Sequence, residues 1–400
     1  MAEAREERDP TYGWVVVAAL AITVTVSYGV LTYAFGIVLV PMERELGWSR
    51  LELTGAFSVA LGVWAVAGVV VGMALDRYSP RVVMAVGSLL GAGLVAAWSQ
   101  VHSLFALYAV FAGIGLAMAA LQYNAVFAVA TKWFRTRRRH ALTAITLVGA
   151  FSSFIFSPLT GALVAGIGWR QALMVLAVIL AAITFPLHAG VVRAAPVAVA
   201  EEAKHAPREV RSVLTSPPFW LLAIALAAGS YVWAVIVVQF VPLLLDSGQS
   251  LAFAAFAAGV VGIGQLPGRL VYVLIGERLA GARLPVVAFG LAVTALVVLL
   301  VDRGVPAVLL FALVFGMSAG MVTLMSASLP AELFGRRSYG TVSGVLYACS
   351  NAARAVAPFA SAATALLPGG YAALLLSLIG LSVLGALLGG LALGRAADRM

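Results

Sequence analysis

Apolar runs follow one another along this chain, and each is long enough to cross the hydrocarbon core of a bilayer as a helix of about 20 residues. Backbone groups in lipid must be satisfied within the segment, and these Ala-, Leu-, Val- and Gly-rich runs are too long for barrel strands. We therefore predict an all-α membrane protein with twelve transmembrane helices. The predicted spans lie near residues 13–40, 51–74, 82–99, 104–131, 141–166, 171–190, 219–245, 251–275, 285–301, 306–329, 339–366 and 371–393.

Basic residues are distributed unevenly between alternate loops. If the N-terminus is cytoplasmic, nineteen Lys and Arg residues fall on the cytoplasmic side and four on the other. Such an asymmetry follows the positive-inside rule. It predicts a multi-pass protein of the cell (cytoplasmic) membrane with both termini in the cytoplasm. The net charge of +9 then reflects topology and contact with lipid, and no nucleic-acid partner is expected.

The charged segment "VVRAAPVAVAEEAKHAPREVRSVLTSPP" divides the chain into two sets of six spans. It predicts an N-terminal bundle at residues 1–190, a cytoplasmic linker at 191–217 and a C-terminal bundle at 218–400. The stretch "VPMERELGWS" matches "VPLLLDSGQS" 201 residues later, so that Glu45 corresponds to Asp246. A repeat of this kind predicts two pseudo-symmetric six-helix bundles. A binding site at the interface of two such repeats is typical of secondary transporters.

Two arginines lie deep inside predicted spans, Arg269 in "GQLPGRLVY" and Arg354 in "NAARAVAP". No Asp, Glu or Lys lies at comparable depth. A cation there costs at least about 2.5–3.5 kcal/mol unless it faces a partner or a wet cavity. A planar guanidinium suits bidentate binding of a carboxylate. We therefore expect both arginines to bind an anionic substrate, while bonding to helix carbonyls or to neighbouring amides such as Gln265, Asn351 and Gln239 is the structural alternative.

Neutral polar and aromatic residues in the first half are candidates to complete the same site. Hydroxyl and amide groups hydrogen-bond carboxylates, and aromatic walls enclose a small organic skeleton. Packing within the bundle, or a place as an aromatic residue at the membrane interface, is the alternative role for each of them. With the amides of the second half, the candidates are Tyr28, Tyr33, Gln122, Tyr123, Asn124, Gln265 and Asn351.

The segment "GMALDRYSPR" after the second span resembles the loop between helices 2 and 3 of the major facilitator superfamily. The resemblance implies the major facilitator fold and a conformational latch formed by Gly72, Asp76, Arg77 and Arg81. We expect Gly72 to permit close helix contact and Asp76 to pair with a cation on a neighbouring helix. The second-half copy, "LIGERLAGAR", lacks the first glycine.

Several stretches resemble the monocarboxylate transporter and oxalate/formate antiporter family. They are "DPTYGWVVVAA" before the first span and "GIGLAMAALQYNAVFAVATKWFRTRRRHALTAITLVGAFSS" across the fourth and fifth spans. Arg269 resembles the family's carboxylate-binding arginine in helix 8, and Arg354 stands where the oxalate/formate branch has a lysine in helix 11. The resemblance implies transport of small organic anions, either mono- or dicarboxylates.

Two departures from that family bear on the mechanism. Proton-coupled members have an acid one turn before the helix 8 arginine, where this chain has Gln265, and the helix 1 lysine of animal members is absent. Fixed cations without an acid resist an empty return across the membrane. We therefore expect rocker-switch alternating access with anion exchange, with proton-coupled symport as the alternative.

Other classes of protein remain as alternatives or are disfavoured. Efflux of drugs or metabolites by the same fold, and a transporter-like membrane sensor, are the two alternatives. An enzyme, a cofactor and a metal site are not expected, because no catalytic cluster, phosphate loop or metal spacing occurs. We expect a monomer whose partners are lipid, the anion and a counter-anion or proton. The four histidines, expected to be solvated at span ends or in loops, are His102, His140, His188 and His205.

Overall fold

The computed structural model describes residues 11–134, 137–193, 212–275, 283–334 and 339–397. Helices form the regular secondary structure of these ranges, which contain no β-strand. The chain divides into two units: unit 1 is Met1–Leu46 with Val59–Glu201, and unit 2 is Gly47–Ser58 with Glu202–Met400. The stretch Gly47–Ser58 therefore groups with the second half of the chain, although we predicted it as part of the N-terminal bundle.

Unit 1 begins with a helix of three parts: α1 (Thr11–Tyr28), a π-helical segment (Gly29–Tyr33) and α2 (Ala34–Leu46). Helix α3 begins in unit 2 and continues into unit 1. The remaining helices of unit 1 are α3 (Arg50–Arg77), α4 (Pro80–Trp98), α5 (Leu104–Leu121), α6 (Tyr123–Thr131), α7 (Arg138–Gly149), α8 (Phe151–Pro186) and a second π-helical segment (Leu187–Val191).

Unit 2 is built from long helices, each of which is continuous over its range. They are α9 (Pro217–Asp246), α10 (Leu251–Ile275), α11 (Arg283–Val301), α12 (Val305–Phe334), α13 (Tyr339–Ala365) and α14 (Gly370–Ala397). A core of buried residues that includes Phe219, Leu222, Met321 and Met325 joins α9 to α12. Between membrane helices such a core is stabilised by van der Waals packing, because lipid is as apolar as the side chains themselves.

Local sequence explains where several helices start. Pro80 and Pro217 occupy the first turns of α4 and α9, where the missing N–H costs nothing and the fixed φ suits a helix. At the start of α5, the Ser103 hydroxyl accepts a hydrogen bond of 3.3 Å from the amide of Ala106. This bond satisfies one of the amides that the helix itself leaves without an acceptor.

Ten helical stretches of the described part are long and apolar enough to cross a membrane. The fifth and sixth predicted spans fall within one of them, His140–Val191, which is interrupted at Gly168 with φ of 78°. The predicted eleventh span coincides with α13, which is not among the ten. The all-α membrane fold is confirmed, whereas the count of twelve stays a prediction.

Glycines with left-handed backbone recur at the spacing of the sequence repeat. Gly47 and Gly248, 201 residues apart, have φ of 69° and 85°, and Gly168 and Gly369, also 201 apart, have φ of 78° and 100°. Side chains rarely adopt this conformation, so glycine is required at such turns. Corresponding helix connections in the two halves therefore use the same backbone geometry, which supports a duplicated unit.

Candidate functional site

In unit 2, four glycines bring α10 and α12 into backbone contact. A Cβ atom added to Gly268 would lie 2.1 Å from the carbonyl oxygen of Met317, and one added to Gly320 would lie 2.3 Å from that of Gln265. Cβ atoms added to Gly264 and Gly316 would likewise lie 2.7 and 2.4 Å from backbone carbonyl oxygens of the opposite helix. Small residues permit such close contacts between membrane helices. These four glycine contacts therefore fix the position of the part of α10 that carries Arg269.

Arg269 lies on α10, about 9 Å along the helix from its last residue, Ile275. Its side chain is buried, with 4% exposure, and its Nη2 donates a hydrogen bond of 3.0 Å to Oε1 of Gln265 one turn earlier. The amide partner is neutral, so it satisfies a donor without cancelling the positive charge. The neighbouring-amide contact that we gave as the structural alternative is thus present at Arg269.

Arg354 lies in the middle of α13, about 22 Å along the helix from Tyr339. Its guanidinium carbon is 5.4 Å from the ring centroid of Trp233 on α9, within the range of a cation–π interaction. Pro358, one turn later, has no N–H to donate to the carbonyl of Arg354. Trp233 was missed in the sequence, although its position in mid-span, away from the interfacial belt where Trp is common, was a usable signal.

The two amides of unit 2 have different surroundings. Gln239 on α9 is buried and its Nε2 donates a hydrogen bond of 3.2 Å to Oγ of Ser361 on α13, which therefore ties the two helices together. Asn351 is half-buried on α13, three residues before Arg354. Among the candidates of the second half, the structure therefore places Asn351 on the same helix as Arg354, and Gln265 beside Arg269.

In unit 1, the three candidate tyrosines lie together. The ring centroid of Tyr28 is 4.9 Å from that of Tyr123 and 6.4 Å from that of Tyr33. Phe127, which sequence reasoning missed, extends this group at 5.0 Å from Tyr123. The hydroxyl of Tyr123 lies against Gly149, 2.3 Å from where a Cβ atom would stand. At these distances the four rings contact one another in an unbroken series, Tyr33–Tyr28–Tyr123–Phe127.

The same region of unit 1 has irregular backbone in two neighbouring helices. The π-helical segment interrupts the first helix at Gly29–Tyr33, and the helix through Leu104–Thr131 breaks at Gln122, with φ of −96° and ψ of −174°. The amide of Gln122 is buried and donates a hydrogen bond of 2.9 Å to the hydroxyl of Thr32. Gln122 therefore joins the two irregular segments. Insertions of this type are frequent at functional sites.

Asn124 faces a different direction from Gln122. Its side chain is exposed, and its Nδ2 lies 3.6 Å from the position of a Cβ atom on Gly68 of α3. Of the two predicted polar ligands beside Tyr123, one is thus enclosed within the unit and the other is accessible.

The predicted latch segment lies at the end of α3. Asp76 forms an ion pair of 2.7 Å with Lys132, the residue that directly follows helix α6. Arg81 donates a hydrogen bond of 3.4 Å to the carbonyl of Gly190, and Arg77 lies over the ring of Tyr78 at 6.0 Å.

One reason given for the latch requires correction. No atom of the described residues lies within 4 Å of a Cβ atom added to Gly72, so the close helix contact expected there is not found among them. Gly72 lies on a part of α3 whose neighbours leave room for a side chain. The second-half copy at Glu277 and Arg278 lies outside the described residues.

The expectation for His188 was also wrong. We expected its side chain to be solvated, but it is fully buried. Its Nδ1 is 2.8 Å from the hydroxyl of Ser88 on α4, and its Nε2 is 3.0 Å from that of Thr23 on α1. Ser88 also donates to the carbonyl of Met84 at 3.0 Å. Both ring nitrogens thus have a hydroxyl partner, and in the neutral ring one nitrogen donates while the other accepts, so that His188 holds three helices together.

Within the described residues, no group of three or more His, Cys, Asp or Glu side chains is arranged to hold a metal ion. Ten described helical stretches long and apolar enough to span a bilayer are those of a multi-pass membrane protein. The chain belongs to the Major Facilitator Superfamily, whose family model matches residues 20–358.

Two relatives of similar sequence show which members of that superfamily this chain resembles. Monocarboxylate transporter 13 of Rattus norvegicus is 28% identical over 342 residues, which cover 84% of this chain and 78% of the relative. The uncharacterized MFS-type transporter YcxA of Bacillus subtilis (strain 168) is 26% identical over 346 residues, which cover 82% of each chain. The resemblance to monocarboxylate transporters inferred from the sequence motifs is thus confirmed.

Among solved structures, a bacterial homologue of the human lysosomal transporter Spinster, in an inward-facing and unoccupied conformation, matches with a TM-score of 0.77. The match covers 98% of this chain and 99% of the other, at 16% sequence identity. At this identity the similarity shows the fold alone.

Proposed function

We propose that the protein is a secondary active transporter of small organic anions, mono- or dicarboxylates, that works by rocker-switch alternating access and exchanges one anion for another. The observation that carries the proposal is the burial of Arg269 inside an apolar helix, with a neutral amide as its hydrogen-bond partner. Arginine stays ionised at any working pH, so proton loss cannot relieve the cost of burying its charge. A bound carboxylate offsets that cost through charge-assisted hydrogen bonds.

Arg354 supports the same proposal from a second helix of unit 2. Its contact with Trp233 is attractive and leaves the positive charge in place, and a positive charge attracts an anion. Along their helices, Arg269 and Arg354 stand at different distances from the predicted cytoplasmic ends, about 9 and 22 Å. A dicarboxylate, or two anions bound in succession, suits cations separated in depth.

The neutral groups of unit 1 are proposed to bind the rest of the substrate. Tyr28, Tyr33 and Tyr123 supply hydroxyls and ring faces, and Asn124 supplies an exposed amide. Gln122 acts in this proposal through Thr32, by holding the irregular segments that carry the tyrosines. In the proposed cycle, bound anion screens the arginines of unit 2 and so lets the two halves enclose it.

Exchange is proposed over proton symport because of the residue before Arg269. At one turn before the arginine this chain has Gln265, whose amide does not titrate, and the structure uses it as the hydrogen-bond acceptor of Arg269. A carrier with fixed cations returns more readily across the membrane with another anion bound. The names of the monocarboxylate transporter relatives support a carboxylate substrate.

The remaining parts of the proposal concern the cell and the cycle. The excess of basic residues on one side favours the cytoplasmic membrane with both termini in the cytoplasm. Asp76, Arg77 and Arg81 are proposed to act as a cytoplasmic latch, supported by the Asp76–Lys132 ion pair. A monomer without cofactor suffices for this cycle.

Uptake by proteoliposomes tests the proposal. The panel contains oxalate, formate, lactate, pyruvate and acetate, each with and without a proton gradient and with and without internal anion. We expect uptake that requires internal anion and that falls strongly in Arg269→Gln and Arg354→Gln. Arg303→Gln is the matched control, because Arg303 lies at a helix end and donates to Ser247.

Two outcomes would contradict the proposal. Stimulation by a proton gradient without any need for internal anion would replace exchange by symport. Full transport by both arginine variants would assign Arg269 and Arg354 to structure.

A further inference from the structure

Trp233 is the residue of unit 2 whose contact most directly concerns the proposed site. Its ring, half-buried on α9, lies 5.4 Å from the guanidinium carbon of Arg354 on α13. The Gln239–Ser361 hydrogen bond joins the same two helices, so the pair is held on adjoining elements. A cation over the face of Trp is attracted by the ring quadrupole, and the attraction grows when the site excludes water.

We propose that Trp233 is a positioning residue that sets the affinity for the anion by holding the guanidinium of Arg354. The inference rests on the proposed function and deepens it. A carboxylate in place of Trp233 would neutralise Arg354 and compete with the substrate, whereas a ring face stabilises the cation and leaves its charge intact. The indole also restricts the rotamers of a long side chain, so less conformational entropy is lost when an anion binds.

The test compares KM and maximal rate of uptake in Trp233→Phe, Trp233→Leu and wild type, with whichever anion of the panel wild type carries. We expect Trp233→Leu to raise KM by about 2- to 30-fold with little change in maximal rate, and Trp233→Phe to restore most of the affinity. Trp220→Leu is the matched control, since Trp220 lies on the same helix with an exposed ring.

The outcomes separate this inference from the proposed function. If wild type carries none of the anions, the proposed function fails. If wild type carries one of them and Trp233→Leu keeps its KM, only the role of Trp233 is overturned. A loss of affinity in Trp233→Leu that Trp233→Phe does not rescue would assign the indole to packing, which also overturns the inference.

A second inference comes independently from the ends of α3 and α9 that are predicted to face outside. Within unit 2, Arg50 forms an ion pair of 2.8 Å with Asp246 and hydrogen-bonds the hydroxyl of Tyr371, which also donates to Asp246 at 3.0 Å. We call these three residues the outer tie. Two turns further along α3, the hydroxyl of Ser58 accepts a hydrogen bond of 3.1 Å from the amide of Phe359.

The sequence repeat shows what is unusual about the outer tie. Glu45, which corresponds to Asp246, forms its ion pair of 2.7 Å with Arg170 inside unit 1. Position 371, which corresponds to Arg170, holds a tyrosine, so the cation for Asp246 comes from Arg50 instead. Arg50 stands on Gly47–Ser58, the short stretch of first-half sequence that groups with unit 2.

We infer that the outer tie holds the beginning of α3 on unit 2 and must break when the predicted outer side opens during transport. A partly exposed ion pair suits this purpose, because such pairs contribute little and separate readily in water. The side chains of Arg50 and Asp246 are 19% and 39% exposed, against 20% and 48% for Arg170 and Glu45. The two pairs therefore form a matched set for experiment.

Cysteine labelling tests the outer tie without a substrate. Ser58→Cys is introduced into a Cys349→Ser chain and labelled in right-side-out vesicles with a membrane-impermeant maleimide. We expect Arg50→Gln to raise the labelling rate by up to about fivefold, and the control Arg170→Gln to leave it unchanged. The charge swap Arg50→Asp with Asp246→Arg should restore slow labelling. Equal labelling in wild type and Arg50→Gln, or an equal increase in both variants, would overturn the inference.

Discussion

The two units differ at corresponding helices: unit 1 has irregular backbone, and unit 2 has regular helices that carry buried charge. In unit 1 the first helix contains a π-helical segment and the helix through Leu104–Thr131 breaks at Gln122, whereas their counterparts in unit 2, α9 and α12, are continuous. Unit 2 instead carries Arg269 and Arg354, where the repeat places neutral residues in unit 1. Backbone irregularity and neutral rings thus occur in one half, and fixed charge on regular helices occurs in the other.

The difference is physically reasonable. A buried cation needs a rigid environment, because small displacements expose it to lipid at high cost. The glycine contacts between α10 and α12 supply that rigidity around Arg269. Neutral side chains tolerate movement of the backbone, so the irregular helices of unit 1 are suited to adjust around a substrate.

The largest effect is expected from removing the charge of unit 2. Arg354→Gln or Arg269→Gln should weaken anion uptake by about 30-fold or more in KM, because each truncates a charge-assisted interaction. Radiolabelled anion uptake over a range of concentrations measures the change. Arg354→Lys, which keeps charge without the planar fork, should fall between wild type and Arg354→Gln.

The second largest effect is expected on stability, because helices α10 and α12 of unit 2 are in closer backbone contact than the helices compared with them in unit 1. Gly268→Ala should lower the free energy of unfolding by about 1–3 kcal/mol, since its Cβ atom meets the backbone of Met317. Gly113→Ala in unit 1 meets the two Cδ atoms of Leu94 instead and should lose less, because the far end of a flexible side chain can move. Thermal unfolding in detergent measures both, with Gly290→Ala as the control in open space. Equal losses for Gly268 and Gly290 would remove the claimed rigidity.

The joint between the irregular helices of unit 1 should show a smaller effect on stability. Gln122→Leu removes the hydrogen bond to Thr32 and should lower the free energy of unfolding by about 1 kcal/mol. Asn124→Leu, two residues further on, is exposed and should change it little. Thermal unfolding of the two variants side by side decides whether Gln122 is the structural member of this pair.

The smallest predicted change is the loss of one hydroxyl from the aromatic group. Tyr123→Phe should raise KM by about two- to tenfold if the hydroxyl binds substrate. Tyr12→Phe is the control, because Tyr12 donates to the carbonyl of Val191 away from the aromatic group. An unchanged KM in Tyr123→Phe would confine that ring to packing.

The sequence was sufficient for the class of fold because membrane helices follow from composition and length alone. It also pointed to Tyr28, Tyr33 and Tyr123, since all three fall inside predicted spans, and the structure brings their rings together. It did not reveal Trp233, because an aromatic residue in a span reads as packing until its neighbour on another helix is known. Burial of His188 was missed for the same reason: its partners, Thr23 and Ser88, are 165 and 100 residues away.

The reason given for Gly72 failed because a glycine pattern does not say which helix faces it. The glycines that do make close contact, such as Gly268 and Gly320, are no different in sequence context from those that do not. Local sequence therefore predicts that small residues are present, whereas only the packing of α10 on α12 shows which of them matter.

The backbone contact of α10 with α12 has a consequence for changing what this carrier transports. Any side chain larger than hydrogen at Gly268 or Gly320 would push the two helices apart and move Arg269 with them. Variants meant to test the proposed site should therefore leave the contact between α10 and α12 unchanged and substitute residues near Arg354, such as Trp233 and Asn351.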